Sequence, residues 1–449
     1  MPLWFQTALL PRGWTDGVRL HLAGGSIARM ETGVEPNSAD ERHAIAIPGL
    51  CNVHSHGFQR GMAGLAEVRG PAGDNFWTWR EVMYRFLDRL DPDQVEAITT
   101  LAYAEMLERG FTRAGEFHYL HHTRSGAPYD NPGELTERIA AAAASTGIGL
   151  TLLPVFYAHS NFGGAPPTSG QRRFINTIDQ FAVLVEASRI AAARLPGANV
   201  GIAPHSLRAT TPDELNAIVG LTDDAPIHIH AAEQTKEVED CVTWSGARPV
   251  AWLLEHMDVD SRWCLVHATH LTEAENRSLA ESEAVVGVCP ITEANLGDGI
   301  FPARPYFQRA GHIGIGTDSN VQIDAAGELR ALEYAQRLHT RSRNVLAEAE
   351  GHSTGRQLFD RALAGGAQAL GQPGTGIREG GVADVVSLDA DDPVYYGRTG
   401  DAILDSWVFA GGRIDCVWRG GQKVVEQGRH IAGSEIRARY RPAIESVLD

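Results

Sequence analysis

The chain has 449 residues, 43% of them apolar, with 39 basic against 56 acidic side chains and a formal net charge of −17. That much apolar material fills a large core and excludes a disordered chain, and no stretch approaches the roughly 20 apolar residues of a membrane span. The acidic surplus argues against nucleic acid and anionic membrane as partners, so an anionic ligand would need cations placed for it locally.

In chain order, Trp4–Leu10, Gly17–Leu22 and Gly25–Met30 read as short strands, with Gly24-Gly25 as a hairpin signal. Met1-Pro2-Leu3-Trp4-Phe5 lacks a basic region followed by a long apolar run, so no secretory signal is expected. Ala383–Leu388, Ser406–Phe409 and Ile414–Trp418 read as strands near the other end, followed by a helix near Arg437–Ser446. Residues 1–46 and 373–449 are therefore expected to form one small β-sandwich domain from both termini.

Between them, over 47–372, eight apolar strand candidates occur: Ile45–His56, Thr112–Phe117, Gly149–Phe156, Val200–Pro204, Pro226–Ile229, Trp263–His267, Ala284–Cys289 and His312–Thr317. Amphipathic stretches fill the gaps, among them Pro92–Arg109, Gly133–Ser145, Pro212–Val219 and Ala326–Leu346. Thr211 before Pro212 is an N-cap followed by proline at the first helical position. Eight strand–helix units in a row argue for an α/β fold, a (β/α)8 barrel. The five cysteines, Cys51, Cys241, Cys264, Cys289 and Cys416, are odd in number and form no CxxC pair. They point to a reducing cytoplasm, without disulfides or a thiolate zinc site.

A barrel presents its chemistry at the C-terminal ends of its strands. The first strand ends His54-Ser55-His56, and histidines two apart on a strand share a face and offer two imidazoles to a divalent metal. Alone, the pair also suits two polar loop histidines. The fifth strand gives His228-Ile229-His230-Ala231-Ala232-Glu233, in which His230 lies nearer the strand end than His228 and is the better ligand. Glu233 is a nearby acid/base, or a glutamate favoured at a helix start. The sixth strand ends in His267. The eighth gives Gly316-Thr317-Asp318-Ser319-Asn320, where a buried aspartate needs a positive partner, unless it merely caps the next helix. Four such signals landing on strand ends of one barrel read together as a metal hydrolase.

This pattern resembles the amidohydrolase superfamily over nearly the whole chain. Binuclear members use a carbamylated lysine on strand four; here His205 stands near that strand end, and the only lysines, Lys236 and Lys423, lie elsewhere. The resemblance therefore implies the mononuclear, deaminase-type branch. Its expected ligands are His54, His56, His230 and Asp318, holding one Zn2+ per chain, with iron or manganese as alternatives. His54–Arg60, Phe76–Arg80, Gly115–His122, Ala203–Arg208 and Gly316–Asn320 resemble the formimino-amino-acid deiminases of that superfamily. The implied activity is hydrolysis of N-formimino-L-glutamate to N-formyl-L-glutamate and ammonia, a step of histidine degradation.

The substrate so implied is a small dianionic formimino amino acid, and an acidic protein must hold it with placed cations. Arg80 and Arg208 are the candidate carboxylate forks, and Gln59, Tyr119 and His205 are hydrogen-bond partners on neighbouring loops. Arg80 also suits a stacked surface residue and Tyr119 simple rim packing. Asp318, with His267 beside it, would take a proton from water, and Glu233 would pass one to the leaving nitrogen. His118, His121, His122 and His270 read as structural, or as supports behind the residues of the site. The segment before Arg80 is expected to form part of a lid, and a second copy of the chain is the candidate protein partner. The alternatives are a deaminase of formiminoaspartate or a purine-type base, and a non-catalytic barrel.

Overall fold

The computed structural model describes residues 1–71 and 73–449. Its central sheet contains eight parallel strands: β1 (Leu50–Ser55), β2 (Phe111–His118), β3 (Gly149–Phe156), β4 (Asn199–Val200 with Ala203–Pro204), β5 (Ile227–Ala231), β6 (Trp263–His267), β7 (Val285–Val288) and β8 (His312–Ile315). Ile315 of β8 pairs with Asn52 of β1, and Ile202, between the two pieces of β4, bridges Ile227 of β5. The sheet thus closes on itself as a barrel, as the alternation of strands and helices predicts. The strands β2, β3, β5, β6 and β7 are buried along their whole length, because both faces are covered. Their outward side chains join the helices in one large core that includes Leu152, Ile229, Leu265 and Val286.

Two predicted helices begin with the caps that mark them. Asp91 and Gln94 form a capping box ahead of Pro92–Glu108, and Thr211 and Glu214 do so ahead of Pro212–Val219. The predicted helix Ala326–Leu346 runs Ala325–Thr340 and ends where Arg341 takes a left-handed φ of 55°.

Residues 45–56, read as one strand, are two. Glu41–Pro48 stays in the sheet of the termini, and the chain passes into the barrel at Gly49. Only glycine fits there, because a Cβ at position 49 would lie 2.2 Å from Thr112 Cγ2. Ser406–Phe409 is not a strand but part of the helix Asp401–Ala410. Ile403, Leu404, Trp407 and Val408 are buried at helical spacing, a pattern invisible in a four-residue apolar run.

The termini build one eight-stranded sheet, ordered from Arg429–His430 through Gln422–Glu426, Ile414–Arg419, Val385–Leu388, Glu41–Pro48, Leu3–Leu10 and Gly13–Ala23 to Ser26–Glu31. The rings of Phe5 and Trp418, three strands apart in that order, are 6.0 Å from centroid to centroid. A flat sheet would hold them about 14 Å apart, so the sheet folds over onto its own face, enclosing Phe5, Leu20, Ile27, Val385 and Trp418. Among the described residues no helix is long and apolar enough to cross a membrane.

Candidate active site

The C-terminal ends of β1 and β8 are stapled together. The backbone N–H of Asp318 donates to His54 O at 2.9 Å, and that of His56 donates to Asp318 O at 3.0 Å. Asn52, Thr317 and Asn320 reinforce the junction: Asn52 Nδ2 donates to Thr317 Oγ1 at 2.7 Å, and Thr317 Oγ1 donates to Asn320 Oδ1 at 2.6 Å. Gly316 allows the close approach, since a Cβ there would meet His54 O, His54 Cβ and Cys289 Sγ, each at 2.9 Å. Ala232, His267, Ala268, Asp318 and Asn320 all take left-handed φ between 43° and 69°. Such backbone conformations cost energy in non-glycine residues and gather at functional sites.

From these strand ends His54, His56, His230 and Asp318, all buried, bring one ligand atom each within 4.8 Å of one another. His56 Nε2 lies 3.2 Å and His54 Nε2 3.4 Å from Asp318 Oδ1, and His230 Nε2 lies 3.1 Å from His54 Nε2. His56 Nδ1–H donates to Phe117 O at 2.9 Å, and His230 Nδ1–H to His205 O at 3.0 Å. Those bonds fix both tautomers so that the Nε2 lone pairs point inward, the usual orientation of metal-binding imidazoles. Burial pushes the His54 imidazole down to about 3 and His230 well below its ordinary value, so both are neutral. Against a burial that would raise it, His54 and His56 hold Asp318 well below the usual carboxylate range. His54, His56 and His230 thus bring three imidazoles, two of them with the Nε2 lone pair turned inward, beside an ionised carboxylate. The donor set therefore fits a divalent metal, and three nitrogens with one oxygen suit zinc.

Glu233 and His267 flank this quartet. His267 Nε2 is 3.7 Å from Glu233 Oε1 and 3.8 Å from Asp318 Oδ2. Burial would lower the His267 pKa, but Glu233, Glu293 and Asp318 outweigh it and raise it to about 10. Burial lifts Glu233 to about 7, with Asp318 adding to the rise and His267 opposing it.

A pocket opens above, lined by His56, Glu233, His267 and Asp318 at its floor and by Gln59, Arg80, Tyr119, His205 and Arg208 higher up. Every site residue predicted from the sequence other than the buried ligand His54 thus lines one cavity, with His54 directly beneath it. Gln59 Nε2 donates to Tyr119 OH at 2.8 Å, leaving the buried Gln59 Oε1 without a partner. Tyr119 is 4% exposed and part of the wall, not the rim. Arg80 belongs to α1 (Phe76–Leu87), the helix that roofs the pocket. Arg208 is buried, and burial opposes its charge, but Glu237, Tyr157 and Glu233 around it outweigh burial and keep it ionised. Among the described residues, neither buried Nε of the two guanidiniums has a partner.

His228 lies one layer deeper than His230, where its Nε2–H donates to Ala369 O at 2.7 Å. His121 and His122 donate to the carbonyls of Val155 and Ile175. Together with His118 and His270 they stand outside the pocket lining. Sequence reasoning missed two supports. Glu293, in the helix Pro290–Leu296 after β7, accepts from His267 Nδ1 at 3.2 Å. Glu237 accepts the backbone N–H groups of Ala232 and Glu233 at 3.2 and 3.1 Å. Glu293 lies inside a helix, past the predicted strand end at Cys289, so the strand-end rule gives no signal for it. Sequence reasoning also missed the apolar wall of Phe76, Met83, Tyr84, Tyr157 and Phe174.

The model of the Amidohydrolase family matches residues 45–424, and that of the Formimidoylglutamate deiminase HutF, N-terminal domain, matches residues 4–44. The formimidoylglutamate deiminase of Pseudomonas aeruginosa is 50% identical over 438 residues, covering 97% of this chain and 96% of that protein. A crystal structure of an amidohydrolase from Brucella melitensis superimposes with a TM-score of 0.97 and 53% identity over the whole of both chains. That of an adenosine deaminase from Xanthomonas campestris with bound zinc shares the fold, at a TM-score of 0.81 and 22% identity, over 100% of this chain and 98% of that one.

Proposed function

The chain belongs to the amidohydrolase family, and we propose that it hydrolyses N-formimino-L-glutamate to N-formyl-L-glutamate and ammonia. One observation carries the choice of substrate: Arg80 and Arg208, each with a buried and unpartnered Nε, converge on the pocket whose floor is the metal-type quartet. A dianion with an amidine at its other end satisfies both halves of that pocket. Carboxylates there would satisfy the arginine forks in the planar, two-toothed manner that guanidinium favours.

In this reading His54, His56, His230 and Asp318 hold one zinc ion per chain, which when bound lowers the pKa of water toward about 7 and supplies a nucleophile at neutral pH. Arg80 and Arg208 bind the two carboxylates, with Gln59, Tyr119 and His205 positioned to hydrogen-bond the chain between them and the amidine. Asp318 accepts a proton as the water oxygen bonds to the formimino carbon and the C=N π pair moves onto nitrogen. His267, held by Glu293, donates toward the oxygen on which charge develops. Glu233, with its pKa near neutrality, delivers a proton to that nitrogen, is reprotonated by the proton held on Asp318, and delivers a second, so that the nitrogen leaves as ammonia when the C–N bond breaks. As the formyl C=O forms, the hydroxyl proton passes to Asp318 and on to Glu233, which returns both carboxyl groups to their starting states. Water is excluded by the aromatic wall and by α1 above it.

Elemental analysis of fully metallated protein, with ammonia release measured on the same sample, tests this reading. One tight zinc per chain, lost together with activity in His54→Ala, is expected. Two tight ions per chain, or full activity without any metal, would overturn it.

A further inference from the structure

We propose that Trp77 is the positioning residue for both guanidinium forks, and that the separation it imposes on them selects the length of the dianionic substrate. This rests on the assignment of Arg80 and Arg208 to the substrate carboxylates.

Trp77 and Arg80 are three residues apart in α1, hence on neighbouring positions of one helix face. The first turn is fixed by Asn75, whose side chain accepts the backbone N–H groups of Trp77 and Thr78 at 2.9 and 3.3 Å. Arg80 Cζ stands 4.5 Å from the centre of the Trp77 ring. Arg208 comes from a different part of the fold, the loop after β4, yet its Cζ stands 5.9 Å from the same ring. One indole is therefore common to two cations supplied by separate elements.

An aromatic face attracts a guanidinium through its quadrupole and uses none of the N–H donors. Trp77 can thus hold both arginines in place while their forks stay available, in keeping with the buried Nε of each that has no partner. The two arginines are not held equally. Arg80 has a second ring, Tyr84, at 5.6 Å. Arg208 has no other aromatic face of this kind among the described residues. Loss of the indole consequently frees Arg208 more than Arg80, and the distance between forks becomes variable. Dicarboxylates differing by one methylene differ in carboxylate separation by less than a C–C bond length, about 1.5 Å. A misplacement of about 1 Å is enough to cost two orders of magnitude in rate, so a fixed fork separation discriminates between them and a variable one does not.

The test compares full-length, zinc-loaded wild type, Trp77→Phe and Trp77→Leu by ammonia release from N-formimino-L-glutamate and N-formimino-L-aspartate. For Trp77→Leu, KM for the longer substrate is expected to rise about tenfold, with kcat within about threefold. The ratio of kcat/KM between the two substrates is expected to fall at least about fivefold. Trp77→Phe, which keeps an aromatic face, should restore most of the ratio. An equal loss for both substrates with the ratio unchanged, or Phe no better than Leu, would overturn the proposal and leave Trp77 a prop for α1. Thermal denaturation checks folding, and Trp77→Met replaces Leu if that variant unfolds. If wild type releases no ammonia from either compound, the proposed function fails instead. Calorimetric binding of glutarate against succinate then carries the same comparison among the variants: a preference for glutarate lost in Leu and kept in Phe supports the role of Trp77, and an unchanged preference refutes it.

Discussion

Replacing Arg208 by methionine removes a guanidinium that is 4% exposed and leaves an uncharged side chain that reaches only as far as the arginine Nε. Because the site is desolvated, the lost pairing with a substrate carboxylate is not screened by water. Truncating one partner of such a buried charge pair costs about 2–5 kcal/mol, which is about 30-fold to several thousandfold in an equilibrium or rate ratio. In ammonia-release kinetics, kcat/KM for N-formimino-L-glutamate should fall by about two orders of magnitude or more. Zinc content should not change, since Arg208 touches none of the four ligands. Arg208→Lys should recover only part of the loss, because an ammonium is a point charge and cannot fork. The control is the analogue with both carboxylates amidated, which should react poorly with wild type and equally poorly with Arg208→Met. If Arg208→Met stays within threefold of wild type on the acid, or if the amidated analogue suffers the same loss, the guanidinium is not a carboxylate anchor and the reasoning fails.

Glu233→Gln should retain its zinc and lose at least about 10²-fold in kcat, as for a general acid/base; an emptied site on elemental analysis would instead make Glu233 a ligand. Gly316→Ala should weaken metal affinity by about 10–100-fold in chelator competition, because the new methyl meets the His54 backbone and side chain at 2.9 Å; wild-type affinity would show that β1 and β8 can yield. In the metal-free protein, the folded-state pKa of His267 lies near 10, above an unfolded value of about 6.5. The stability it contributes is thus complete below pH 6.5 and lost as pH rises through 10. Urea denaturation of metal-free wild type against His267→Asn should show the difference between them shrinking across that window, and a difference that grows with pH would contradict the assignment.

The candidate site was legible because barrel chemistry obeys position. His54, His56, His230, His267 and Asp318 each follow an apolar run that could be recognised as a buried parallel strand, and parallel strands deliver their C-terminal residues to a common mouth. Arg80 and Arg208 stood out for a different reason, as cations beside recognised motifs in an acidic chain. What stayed hidden depended on contacts distant in sequence. Trp77 acquires its role only when α1 meets the loop after β4, and Glu293 only when the helix after β7 meets β6. The boundary at Gly49 was invisible because both of its sides are apolar and extended, and what divides them is crowding against Thr112 on a neighbouring strand. The helix Asp401–Ala410 was misread because four apolar residues suit either period, and its buried face shows only over ten residues.

The most direct measurement is ammonia release by zinc-loaded protein offered N-formimino-L-glutamate, N-formimino-L-aspartate and a panel of purine bases and nucleosides, with the organic product identified by mass spectrometry. The expected result is ammonia and N-formyl-L-glutamate in equal amounts from the first compound, at a kcat/KM above that for every other. Efficient deamination of a purine, with N-formimino-L-glutamate left intact, would contradict the central claim while leaving a metal-dependent deaminase in place.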